Sequence, residues 1–214
     1  MITANEIADE IYSNAAALEW EVNTLATAFA KTSFFGDNRH FPHAHYGYLM
    51  ACMGQIDIMS GCEAGNISSR GQTTRMQNFM ERYLYPGKAN EHRVAVKMMR
   101  HTLMHTGALR YIFDETTGVA YTWRIHFGGD FPTQFSHYSL TSEDATYQQD
   151  VISSVAQISS ASVQAVEALN IQLTDFASDI KRVASAYTSK LRVDSNLQVL
   201  SEKVYPEVRV QRLT

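Results

Sequence analysis

Ile7, Ile11, Ala15, Leu18, Val22, Leu25 and Phe29 follow one another at steps of four and three, and this stripe constrains the chain more than any other feature. It lines one face of an α-helix. Thr3 followed by Glu6 has the spacing of a capping box, so the helix is expected from about residue 4 to 31. A helix of that length, about 1.5 Å per residue, presents an apolar face that only other long helices can cover. A helical bundle is the expected outcome.

The rest of the chain supplies partners for it. SFFGDNRHFPHAHYG is read as a His-rich loop, because Gly36 and Pro42 break the helical pattern. A second helix is expected from about His45 to Ser60, dense in Tyr, Met, Leu and Ile on most faces and hence central, with Asp57 as the only charge inside it. After the loop GCEAGNISSRGQ, a third helix from about Thr73 to Leu84 stops at Pro86-Gly87. Asn90 then offers an N-cap for a fourth helix, about 91–106, with Gly107 as its left-handed terminator. Beyond Gly107 the period changes. Leu109–Phe113 and Val119–Phe127 are rich in aromatic and β-branched residues around the turn Glu115-Thr116-Thr117-Gly118, which reads as a β-hairpin, and Gln134–Leu140 as a third short strand. A long helical region is expected from Ser142, its seam running through Leu169, Leu173, Phe176, Ile180, Val183 and Tyr187 to Leu191 and packing on the protein's own bundle. Val204–Thr214 reads as a strand or a frayed tail. The expected whole is mainly α, a single domain over residues 1–214 with its core at about 4–190, a hairpin at about 109–127 and a tail at about 192–214.

Composition narrows the function classes. No apolar run is long enough to span a bilayer, and MITANEIADE lacks the basic start and apolar core of a secretory signal, so a cytoplasmic location is expected. Cys52 and Cys62 form no CxxC or CxxH pattern and read as buried free thiols. A net charge of −4 argues against a protein that simply coats nucleic acid. That average hides an asymmetry: residues 1–66 hold eight acids against two bases, whereas residues 67–113 hold eight bases against two acids. Such a basic segment either focuses an anionic ligand or pairs with the acidic first segment inside the fold.

The basic segment contains Arg100-His101-Thr102-Leu103-Met104-His105, closed by Thr106-Gly107. Arg presents a permanent charge and a planar fork of donors to phosphate, and His exchanges a proton near neutral pH. Together they are a minimal kit for cleaving a phosphodiester. Five positions separate the two side chains by about 140° around an ideal helix, so their convergence needs Arg's reach, a loosened last turn or a second subunit. On spacing alone, Arg100 paired with Asp57 or a surface acid, and His105 at a helix C-terminus, is the simpler account.

Ile56-Asp57 in an apolar helix, Arg75-Met76-Gln77-Asn78-Phe79 with Tyr83-Leu84, and Arg100 through Gly107 before a hairpin and a long helix together resemble the HEPN-like family. The likeness covers roughly residues 45–170. The resemblance implies a helical bundle with a β-hairpin after the motif helix, and an active site formed between two packed protomers. By it Arg100 would hold the scissile phosphate and its developing charge, while His105 would act as general base or acid. His101 would occupy the polar position that orients the pair, Asp57 would be accessory, and Arg93, Lys97 and Arg110 would bind phosphate. The implied activity is metal-independent RNA cleavage, with the 2′-OH as nucleophile, in a toxin, defence or stress setting. No cofactor is expected; RNA or a nucleotide, a second copy of the chain and an antitoxin protein are the expected partners.

Two other readings stand beside this one. His101 and His105, four apart, share a helix face as zinc ligands do, with His43 and His45 as further donors, and these would make a metal-dependent hydrolase. No carboxylate at HExxH-like spacing accompanies them. A pocket lined by Tyr46, Tyr48, Trp123 and Arg100 would instead make a non-catalytic nucleotide- or RNA-binding module.

Overall fold

The structure, a computed structural model, describes residues 2–30, 42–99, 111–127 and 136–209. Among these, helices dominate and a small sheet accompanies them. The order is α1 (Ala4–Ala30), α2 (Pro42–Ala64), α3 (Gln72–Tyr83), α4 (Ala89–Met98), β1 (Ile112–Asp114), β2 (Val119–His126), β3 (Tyr138–Ser142), α5 (Ala145–Val155), β4 (Ala165–Gln172), α6 (Leu173–Leu191) and α7 (Ser195–Arg209). No helix among the described residues is long and apolar enough to cross a membrane.

The capping box at the start of α1 is formed: the Thr3 amide donates to Glu6 Oε2 at 2.8 Å, and the Glu6 amide donates to Thr3 Oγ1 at 3.3 Å. Ile7, Ile11, Ala15, Leu18 and Val22 are all buried, chiefly against α6. The Ala4 amide is satisfied from the far end of the chain, donating to Glu202 of α7 at 2.8 Å. α2 runs four residues past the expected Ser60. Its terminator is Gly65 at φ 63°, where the Asn66 amide reaches the Gly61 carbonyl and the Gly65 amide that of Cys62, a Schellman motif. Cys52 and Cys62 are buried and unpaired, and burial pushes the Cys62 thiol up to about 12. α3 ends before Pro86-Gly87 as expected. Asn90 does not cap α4: the helix starts one residue earlier, and the Asn90 Oδ1 accepts instead from Arg93.

β1 and β2 form the expected antiparallel hairpin, with Ile112 opposite Tyr121. The sheet order is β1-β2-β4-β3, with β2 and β4 parallel and β3 antiparallel to β4. The expectation of one long helix from Ser142 is therefore wrong. Helix α5 ends at Val155 and the chain returns through β4, so Leu169 belongs to a strand and the helical seam begins at Leu173. β4 lies between two strands with both faces covered, and residues 168–171 are all buried, so its burial does not alternate although Leu169-Asn170-Ile171-Gln172 alternates in polarity; the buried Asn170 amide donates to Ser139 and Thr141 of β3.

Tyr121, Trp123, Leu169 and Ile171 turn one face of the sheet into the main core, shared with the helices. Ala120 and Val166 on the other face pack with Val151 and Val155 of α5. The layers are thus helical bundle, sheet and a single covering helix. Phe176, Ile180, Val183, Tyr187 and Leu191 of α6 are buried, and the seam packs inward as expected. The C-terminal expectation needs correction. Residues 195–209 form α7, started by Asp194, whose Oδ1 accepts from the Asn196 and Leu197 amides at 3.1 Å, and anchored by buried Leu197, Val204 and Tyr205.

Candidate functional site

Arg100, His101, His105 and Arg110 lie outside the described residues. Their frame is described on both sides: α4 leads into the motif segment, and β1 follows it. These two elements wall a cleft of about 360 Å³, closed on its third side by the turn after α5.

Arg93 and Asp114 join the cleft's two main walls. The Arg93 guanidinium donates to Asp114 Oδ2 at 2.9 Å, to Asn90 Oδ1 and to the Tyr121 hydroxyl at 3.2 Å, and it lies 5.7 Å over the Tyr121 ring. The hydrogen bond from Arg93, with help from the Thr116 amide, holds the Asp114 carboxyl below the usual carboxylate range. Arg93, expected to bind phosphate, is thus committed largely to the fold. Lys97, one turn further along α4, lines the same cleft half-buried and has no acidic partner among the described residues. Glu115 lines it from the hairpin turn, where its Oε1 accepts from Ser159 Oγ at 2.8 Å. Val94, Ile112, Phe113 and Ile158 supply apolar wall between these charges.

Asp57 lies elsewhere, on α2. It accepts from Arg75 at 3.0 Å and from Gln72 Nε2 at 2.6 Å, both on α3. The Arg75 side chain is only 9% exposed, so this pair fastens α2 to α3. Arg82 similarly pairs with Glu63 of α2 at 2.8 Å, while Lys88 pairs with Glu91 at 3.4 Å. The basic segment is therefore partly neutralised inside the fold. Arg75 and Arg82 meet acids of the first segment, Lys88 meets Glu91 one turn away, and Arg93 meets Asp114 of the hairpin. Arg70 and Lys97 are the bases of that segment without an acidic partner among the described residues.

His43 and His45 lie in the first turn of α2. Among the described residues no group of three or more His, Cys, Asp or Glu is placed to hold a metal ion. The expected aromatic pocket is divided. Trp123 is 7% exposed and fills the core, Tyr48 packs edge-on against Phe127 at 6.0 Å, and Tyr46 is half-buried. Sequence reasoning missed Asp114, Glu115, Tyr121 and Ser159 as cleft residues. Nothing in their local pattern sets them apart, because α4, the hairpin and the turn after α5 meet only in the folded chain.

The class defined by this fold is a mainly helical protein with a four-stranded mixed sheet and a charged cleft between its fourth helix and the hairpin. No protein-family model, no curated protein and no solved structure matches the chain.

Proposed function

We propose that the protein is a metal-independent endoribonuclease of HEPN-like type, acting as a homodimer in a toxin, defence or stress system, with an antitoxin protein as its regulator. The observation that supports this reading most is the position of the cleft. In sequence, the Arg100-to-His105 motif falls in the connection between its two main walls, and Lys97, which lines the cleft, precedes Arg100 by three residues. In the proposed reaction His105 removes the 2′-OH proton of RNA, and that oxygen forms a bond to phosphorus. Arg100 stabilises the charge that builds on the phosphoryl oxygens. The bond to the 5′-oxygen breaks, that oxygen takes up a proton from water and leaves as a 5′-hydroxyl, a cyclic phosphate remains, and His105 returns its proton to solvent.

The test is incubation with mixed-sequence RNA in EDTA. Cleavage is expected, and His105→Ala is expected to lower its rate by about 10²–10⁴-fold while leaving the fold intact. An equally active variant would end the assignment. The second reading, a nucleotide- or RNA-binding module without turnover, is favoured by the commitment of Arg93 to Asp114, which leaves the described cleft few free cations. It predicts binding that weakens in Arg100→Ala, with no cleavage by the wild type.

A further inference from the structure

We propose that the cleft between α4 and the hairpin is a nucleobase subsite that selects guanine, with Lys97 on the phosphate side and Glu115 reading the base. The proposal rests on the reading of the protein as an RNA-cleaving or RNA-binding one, and names the substrate of that same site.

The cleft has a polarity that its sequence connections define. Arg93 and Asp114 tie α4 to β1 at one point, 2.9 Å apart. From Arg93, the chain reaches Lys97 one helical turn later, toward the Arg100 motif. From Asp114, it reaches Glu115 one residue later, away from that motif and into the hairpin turn. The unpaired cation therefore stands on the motif side of the tie, and the carboxylate on the turn side. The Arg93–Asp114 tie stands between them, and beside it Ile112, Phe113 and Ile158 supply an apolar strip, with Ile158 81% exposed. A flat ring can lie against these apolar residues with its polar edge toward the charges.

The free acceptors choose the base. Both Asp114 oxygens are occupied, Oδ2 by Arg93 and Oδ1 by the Thr116 amide. Glu115 carries one hydrogen bond, from Ser159 to Oε1; each carboxylate oxygen accepts two, so both of its oxygens keep acceptor capacity, with no guanidinium bound to them as at Asp114. A carboxylate accepts two parallel hydrogen bonds most readily from neighbouring donors. Guanine offers that pair in its ring N1–H and its exocyclic amine. Uracil offers one N–H between two carbonyls, which a carboxylate repels, and adenine and cytosine each offer one amine. Arg93, with four of its five N–H donors engaged, acts as the positioning residue that fixes the spacing of the two sides.

The experiment is calorimetric titration of the full chain with guanosine 5′-monophosphate and with uridine 5′-monophosphate, using wild type, Glu115→Gln and Lys97→Ala. Glu115 is exposed and Lys97 half-buried, and circular dichroism checks that each variant keeps its fold. Wild type is expected to bind the guanine nucleotide more tightly. Glu115→Gln is expected to lower that affinity about tenfold or more while moving the uridine nucleotide by less than about twofold. Lys97→Ala is expected to weaken both alike. Equal affinity of wild type for the two nucleotides, no binding of either, or an unchanged guanine affinity in Glu115→Gln would overturn the proposal. A second assay, with an RNA containing a single guanosine, separates the two readings. Guanine-selective binding without cleavage sinks the ribonuclease alone, and cleavage without preference for the guanosine sinks the subsite alone.

Discussion

His92 has no exposed surface, yet both of its ring nitrogens are engaged. Nε2 lies 3.0 Å from the Tyr85 carbonyl and Nδ1 3.1 Å from the Tyr138 hydroxyl. A carbonyl only accepts, so Nε2 carries the proton and Tyr138 donates to Nδ1. The ring ties α4 to the α3–α4 connection and to β3. Burial pushes its pKa below the usual histidine value, against the opposing pull of the Tyr85 carbonyl, Glu81 and Glu91, while Lys88 lowers it further. The sign of the pH effect follows. Above the unfolded-chain pKa of about 6.5 neither state is protonated there, and the contribution is constant. Below it the unfolded chain takes up a proton that folded His92 refuses, so stability falls with pH by at most about 1.4 kcal/mol per pH unit. Urea unfolding between about pH 7.5 and about pH 5 is expected to show this loss, and the His92→Gln variant a shallower one. Parallel slopes would remove His92 from the account.

At the scale of elements, the hairpin shows how a local signal and a distant contact meet in one residue. Gly118 ends the turn at φ 69°, a conformation that favours glycine. A Cβ there would also stand 2.6 Å from the Gln164 side chain, in the segment leading to β4, and the Gln164 amide donates to the Gly118 carbonyl at 2.7 Å. Gly118→Ala is expected to cost about 1–2 kcal/mol from the backbone alone, with the close approach adding to it. The measurement is the thermal midpoint. Because the turn also carries Glu115, the variant is further expected to weaken guanine-nucleotide binding. The turn was legible from Glu115-Thr116-Thr117-Gly118, but the partner of Gly118 was not, since Gln164 lies beyond three intervening elements, β2, β3 and α5.

For the molecule as a whole, the question is whether one protomer completes the proposed site. Arg100 and His105 stand about 140° apart on an ideal helix, so the ribonuclease reading places the active pair across a dimer. Mixing inactive Arg100→Ala with inactive His105→Ala protein then has a definite outcome. If each site takes its arginine from one protomer and its histidine from the other, a mixed dimer carries one intact site, and activity is expected to return to roughly a quarter of wild type. No recovery, in a sample that sedimentation shows to exchange subunits, would place the pair within one protomer. The charge asymmetry argues in the same direction as the cleft but with less force. Asp57–Arg75 and Glu63–Arg82 spend part of the basic segment on holding α2 to α3.

Where a segment's own periodicity carries the information, the sequence was sufficient. The stripe from Ile7 to Val22, the capping box of Thr3 and Glu6, the stop at Pro86-Gly87, the hairpin and the seam from Phe176 to Leu191 all appear in the fold, because each is set by contacts within a few residues or by one amphipathic face. The tertiary structure alone decided the rest. β4 is a strand because β2 and β3 flank it and α5 covers it, a burial on both faces that takes in even the polar Asn170 and Gln172. α7 is a helix docked against α2, although its last residues read as a strand or tail. Asp57 was visible as a lone charge in an apolar helix, but that Arg75 and Gln72 satisfy it is a fact of helix packing. The cleft, likewise, joins residues from 93 to 159 that no local pattern relates, and long-range contact is what gives it its charges and its shape.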